Sequence, residues 1–223
     1  MGKRSDVSIK TGPGRLWQLL LDLFFERMEC PVCRGEAKGL CSTCLNAMEE
    51  WGSFSHEGIS GQAMLHYSGS ASRLIYAYKK RLSFEALRGF ERIIDKWLEK
   101  HVLEGFDFIV PVTSIPANVR QRGFDPAMLL AEILSEKSGI PLLNCLENRG
   151  KKENKSRDYR DRKDQAGTAL FLRLPGIPSL AGRRILIFDD VMTTGATMAA
   201  AVELVRSAGA AHVEFLVAAR ATA

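Results

Sequence analysis

The chain has 223 residues, 46% of them hydrophobic and 26% charged, with 31 Lys and Arg against 26 Asp and Glu. That balance belongs to a folded globular protein and excludes a disordered chain, and the length limits it to one α/β domain or one domain with a small appendage. The formal charge of +5 equals the surplus of a single stretch, Arg149 to Lys163, where eight basic residues stand against three acids, so the basicity is local.

Residues 1–15 are polar, with Gly12, Pro13 and Gly14, and read as an irregular end. Leu16 to Phe25 is strongly apolar but too short to span a bilayer, and it carries Asp22 in its middle. Glu26-Arg27-Met28-Glu29 follows where a secretory signal needs small residues. The segment reads as an amphipathic helix packed on the core of a cytoplasmic protein with no membrane span.

Four of the five cysteines come next, spaced Cys30-x-x-Cys33, seven residues, Cys41-x-x-Cys44. Each CxxC hook can place two thiolates on one metal, and four sulfurs fit the closed tetrahedral site of structural zinc. Two disulfides are the alternative and require an oxidising compartment. The segment is too short and polar for a core of its own, so residues 1–60 are assigned to an N-terminal helix and a four-Cys module, and residues 61–223 to an α/β domain.

From residue 60 strand and helix signals alternate. A strand is expected near Ala63 to Tyr67, a helix from Ala71 towards Lys80, and another from Phe84 to His101 with Leu87, Phe90, Ile94, Trp97 and Leu98 at helical spacing. Phe106 to Val112 is a short apolar strand. Pro126 to Lys137 is a helix with Met128, Leu129, Ile133 and Leu134 inward and Gly139 as its stop. A brief strand near Pro141 to Leu146 contains Cys145, read as a small buried hydrophobe, and leads into the basic stretch. Ile185 to Phe188 is a continuous apolar strand. Ala196 to Ala208 is a helix with Met198, Ala201, Val202 and Val205 on one face, closed by Gly209, and His212 to Ala218 is a further strand. Apolar strands separated by helices of this length indicate a parallel sheet covered on both faces.

Ligands of such sheets collect at the carboxyl ends of strands. There Ile185 to Phe188 is followed by Asp189 and Asp190, then Val191-Met192-Thr193-Thr194-Gly195-Ala196-Thr197 and a helix. Two carboxylates can accept from vicinal hydroxyls, and a hydroxyl-rich turn at a helix N-terminus stabilises an anion, so a ribose 5-phosphate suits both halves. A Walker loop fails for want of GxxxxGK[ST], and the lone GxG at Gly12 and Gly14 follows no strand. A phospho-acceptor receiver domain also opens apolar-apolar-Asp-Asp but needs roughly 100 further residues, and 33 follow Asp190.

Asp189 to Thr197 resembles the phosphoribosyl pyrophosphate (PRPP) motif of type I phosphoribosyltransferases. The resemblance implies that Asp189 and Asp190 are the catalytic and ribose-binding acids, that Thr193, Thr194, Gly195, Ala196 and Thr197 cradle the 5-phosphate, and that Mg²⁺ accompanies the pyrophosphate. With the four cysteines in front, the chain resembles the ComF family of competence proteins, including GntX-type members. Further matches are Leu74-Ile75 with Lys79, the strand Ile109-Val110-Pro111-Val112, and Arg122-Gly123-Phe124. The resemblance implies a parallel-sheet type I phosphoribosyltransferase-like fold with a zinc module. It makes Val112, Thr113 and Arg122 pyrophosphate-side residues.

The sequence departs from the family at Asp125-Pro126, where Asn-Gln is common. In the later Gln, Arg, Asn pattern, which falls on Lys155, Arg162 and Gln165, only the arginine matches. Family resemblance implies handling of single-stranded DNA in natural transformation, with the basic run on backbone phosphates, Tyr159 available for stacking, and competence-pathway proteins as partners. The alternatives are an active transferase displacing pyrophosphate with a nucleobase or amine, an adaptor docking through the zinc module, and, for the basic run itself, a solvated loop.

Overall fold

The computed structural model describes residues 29–81, 83–150, 170–173 and 178–222. The expected N-terminal helix and residues 151–163 of the basic run, with Tyr159, lie outside the described residues. A single turn, α1 (Ser42–Asn46), closes the cysteine segment. The order then runs β1 (Gly52–His56), β2 (Ile59–His66), α2 (Gly69–Arg81), α3 (Phe84–Leu98), β3 (Phe108–Pro111), α4 (Pro116–Arg122) and α5 (Pro126–Ser138). It continues β4 (Leu146–Asn148), β5 (Leu170–Leu172), β6 (Arg184–Met192), α6 (Ala196–Ser207) and β7 (His212–Arg220).

Five strands form one sheet in the order β1-β2-β7-β6-β3, with β2, β7, β6 and β3 parallel and β1 antiparallel at the edge. β4 and β5 form a separate antiparallel ribbon. The even residues Leu186 and Phe188 of β6 join Leu216 and Ala218 in a core beneath α2, α3 and α5. The odd residues Ile185 and Ile187 join Phe215 and Val217 in a second core beneath α6. Period-two alternation sorts one apolar run onto two faces, which is why a doubly covered strand reads as continuously hydrophobic. At the β1–β2 hairpin the backbone of Gly61 lies under the Phe215 ring, and a Cβ there would stand 2.2 Å from it.

Local chemistry fixes the helix ends. Ser83 caps α3, accepting from the Ala86 amide at 3.2 Å, and Asp125 caps α5 with Pro126 in its first turn. Gly139 ends α5 in the left-handed conformation, φ 75°. The face expected for α6 is the one observed, with Met198, Ala201, Val202 and Val205 all buried.

Several expectations need correcting. α5 buries Ala127, Leu130, Ala131 and Leu134, while Met128, Leu129 and Ile133 are half-buried flank, because small alanines let the sheet approach on a rotated stripe. α3 stops at Leu98, not His101. The strand expected over Pro141 to Leu146 reduces to one bridge, Ile109 to Leu142, and β4 begins only at Leu146. β1 and α4 were not anticipated. β6 runs past Phe188 to Met192, so Asp189 and Asp190 lie within the strand. Among the described residues no helix is long and apolar enough to cross a membrane.

Candidate functional site

The pairing of β6 explains why polar residues are tolerated in its second half. β3 pairs with β6 only as far as Phe188, whereas β7 continues beside it to Met192. Asp189 to Met192 therefore extends past the carboxyl end of β3 and leaves one edge of the strand open to a ligand. The alternation also slips there: Asp190 is skipped in the ladder with β7, Val191 packs against the first core and Met192 joins the second. The Asp190 amide donates instead to the Asp189 carboxylate at 2.7 Å.

The two acids sit in different surroundings. Burial and the adjacent Asp190 carboxylate push the Asp189 carboxyl well above the ordinary carboxylate range. Asp190, 9% exposed, accepts from the Lys79 ammonium of α2 at 2.8 Å. A charged pair on this rim can hand its hydrogen-bonding capacity to an incoming hydroxyl.

After Met192 the chain turns through exposed Thr193 and Thr194 into α6, with Gly195 at its N-cap in the left-handed region, φ 78° and ψ −4°. The Thr194 hydroxyl accepts weakly from the Ala196 amide at 3.5 Å. Thr197 lies one residue further into the first turn, where amides have no intrahelical partner and the helix dipole favours an anion. Gly195 has no room for a side chain: a Cβ would stand 2.2 Å from His56 Nε2 and 2.5 Å from Met192 Cε. The structure thus places Asp189, Asp190, Thr193, Thr194, Gly195, Ala196 and Thr197 in one continuous segment that runs from a strand end into a helix start.

The residues expected on the pyrophosphate side come from the end of β3, the loop after it and α4. Val112 is buried, and its amide donates to Phe188 O at 2.8 Å. The Thr113 hydroxyl donates to Leu146 O at 3.0 Å, which ties the loop after β3 to β4. Arg122 ends α4, half-buried, before Gly123 in the left-handed region, and makes no ion pair with another described residue.

Three residues gained roles that sequence reasoning had not given them. Asp125 accepts from the Ser114 amide at 2.7 Å and so holds the β3 loop while it caps α5; burial raises its carboxyl above the ordinary value. Lys79, in the sequence only a family match, reaches Asp190 from α2. His56, whose Nε2 is buried without a hydrogen-bond partner against Gly195, gave no sequence signal, because only the hairpin carries it there.

The cysteines form a second centre. The sulfurs of Cys30, Cys33, Cys41 and Cys44 all lie within 4.8 Å of one another, and none of the four is in a disulfide. Four thiolates at about 2.3 Å from a tetrahedral metal are about 3.8 Å apart, and Cys33 and Cys41 are separated by 3.8 Å. Backbone amides already point at the sulfurs, Gly35 to Cys33 at 3.4 Å, Cys44 to Cys41 at 3.4 Å and Cys41 to Cys30 at 3.5 Å. Burial alone would raise the Cys30 thiol, but amide donation led by Cys41 outweighs it and lowers the thiol to about 6. Burial and the neighbouring sulfurs push Cys44 upward. The cluster is compatible with a metal site. Cys145 stands apart, fully buried, its thiol raised by burial to about 11.

Comparison with known proteins gives the family of the α/β domain. Residues 81–223 match the model of the phosphoribosyl transferase domain. The competence protein ComFC of Streptococcus pneumoniae is 29% identical over 198 residues, which covers 86% of this chain and 82% of that protein. Competence protein F of Haemophilus influenzae is 28% identical over 191 residues, 83% and 81% of the two chains. An adenine phosphoribosyltransferase of Saccharopolyspora erythraea is 37% identical over 107 residues, 47% of this chain and 51% of the enzyme.

Proposed function

This chain belongs to the phosphoribosyl transferase domain family, is homologous to the ComFC and F competence proteins, and has an α/β type I fold; on that premise we propose that it binds PRPP with Mg²⁺ through Asp189 to Thr197. The observation that carries the reading is the open edge of β6, where two carboxylates and a glycine-capped helix start adjoin. Asp189 and Asp190 would receive the ribose hydroxyls, and the amides and hydroxyls of Thr193 to Thr197 the 5-phosphate. Val112, Thr113 and Arg122 flank the pyrophosphate side. Mg²⁺ would supply charge neutralisation to the pyrophosphate. The four cysteines would hold a structural zinc, since four thiolates leave no open position for chemistry.

The role we propose is that of a cytoplasmic ComF-type protein that handles single-stranded DNA in natural transformation together with other competence proteins. Lys151, Lys152 and Lys155 would bind backbone phosphates. Replacing these three by alanine should flatten the salt dependence of single-strand binding by about 0.7 for each phosphate no longer neutralised, about 2 in all, and an unchanged slope rejects the basic run as the DNA-binding element.

For the ligand, thermal unfolding with and without PRPP and Mg²⁺ is the test. Binding at a hundredfold excess over the dissociation constant adds about 2.7 kcal/mol, a clear rise in Tm, and Asp189→Asn with Asp190→Asn should remove it. No rise in the parent protein sinks the PRPP reading. The similarity to an adenine phosphoribosyltransferase favours turnover as a second reading, which a screen of nucleobases and amines for pyrophosphate release decides.

A further inference from the structure

We infer that Lys79 is a ligand-binding residue of this site, whose ammonium recognises the anionic group carried on the anomeric carbon of the bound ribose phosphate. This rests on the PRPP reading and goes beyond it, since α2 belongs to neither the loop after β6 nor the loop after β3.

Position is the first argument. The Lys79 ammonium touches Asp190, a ribose-side acid, at 2.8 Å. Its neighbour Tyr78 ties α2 to the segment after α4: the phenol donates to Pro126 O at 2.9 Å, and its ring packs at 5.3 Å against Phe124. Asp125, beside both, holds the Ser114 amide at 2.7 Å. α2 therefore lines the seam between Asp190 and the segment whose Asp125 holds the loop after β3.

Charge is the second. Asp189, Asp190 and Asp125 converge here, and Asp190 acts electrostatically on both of the others. A polyanion approaching this acidic group is repelled to the extent that its carboxyls are ionised, and a cation within the group offsets that repulsion. Lys79 is the cation in direct contact with this group among the described residues, and its side chain is still 26% exposed. An ammonium offers three donors on a flexible stem, and Asp190 takes one. The Asp190 contact holds Lys79 at the rim until a ligand oxygen engages the remaining donors.

A lysine that only braces α2 against β6 makes a different prediction, because its loss would weaken every ligand of the site alike. Isothermal titration of the full chain with PRPP and with ribose 5-phosphate, each with Mg²⁺, separates the two. The wild type is expected to prefer PRPP. Lys79→Gln, which can still donate to Asp190 but carries no charge, should lower PRPP affinity by about tenfold or more and leave ribose 5-phosphate within about twofold. Lys79→Arg should retain the preference. Equal losses for both ligands in Lys79→Gln, or an unchanged preference, overturn the inference. Failure of the wild type to bind either ligand overturns the PRPP reading itself.

Discussion

Gly195→Ala tests whether the turn before α6 is built around a missing side chain. Two costs are readable at this position. A left-handed φ of 78° costs a residue with a Cβ about 1–2 kcal/mol. The new methyl would also stand 2.2 Å from His56 Nε2 and 2.5 Å from Met192 Cε. Both atoms end side chains that can rotate aside, the methionine more freely than the imidazole, so the steric part belongs at the low end of the ~1–3 kcal/mol range for overpacking. Together these give about 2–4 kcal/mol, and for a chain of this size a Tm lower by about 5–15 °C. Differential scanning calorimetry measures it. His56→Ala in the same chain should return the steric part but not the conformational one, a coupling of about 1 kcal/mol. A Gly195→Ala protein within about 1 °C of wild type refutes the tight turn, and additive single effects refute the role given to His56.

Other perturbations probe neighbouring parts. Tyr78→Phe removes the donor to Pro126 O and should cost about 1–3 kcal/mol in chemical unfolding, because a buried carbonyl is left unpaired; an unchanged midpoint removes that bond from the account of the seam. The folded carboxyl of Asp189 keeps its proton above the ordinary value of 3.8, so folding holds more protons than unfolding there and stability is lost as pH rises through and beyond that value. Asp189→Asn should therefore raise the Tm of the ligand-free protein at about pH 7, with a gain that shrinks towards pH 4, and a gain independent of pH contradicts the assignment. Elemental analysis should find one zinc per chain, lost with a fall in Tm in Cys30→Ala and retained in Cys145→Ala; well under one zinc in the parent protein defeats the metal site.

What the sequence disclosed tracks how much apolar surface an element buries. β6 and α6 were read almost residue for residue because each buries a complete face. α4 buries nothing, so no hydrophobic period announced it, and only Pro116 at its start and Gly123 at its end mark its limits. β1 is an edge strand of alternating half-buried residues and serines, and its hairpin turns on Glu57 and Gly58 with positive φ, a signal present but outweighed by its polar composition. In α5 the large residues alone mark the wrong stripe, because Ala127 and Ala131 are buried beside Leu130 and Leu134. At the site, the motif residues were legible because their chemistry is local in sequence. Lys79, Asp125 and His56 reach it from 111, 65 and 139 positions away from Asp190 and Gly195, and only the topology joins them.

The two centres share one core. Leu40, inside the cysteine segment, is fully buried against the helix pair: Gly89 of α3 lies so close to Leu40 and Leu74 that a Cβ there would stand 3.2 and 3.1 Å from them. The Arg92 guanidinium of α3 donates to the Leu40 carbonyl, and Cys30 and Cys44 belong to the same buried cluster as Leu74, Tyr78 and Phe90. Leu74 and Tyr78 line α2, the helix that carries Lys79 to Asp190. A metal that clamps the four thiolates therefore stabilises the surface on which α3 and α2 rest, and its binding free energy adds to the folding of that half of the core. Its effect at the open edge of β6 would pass through these packed side chains to the 2.8 Å contact between Lys79 of α2 and Asp190.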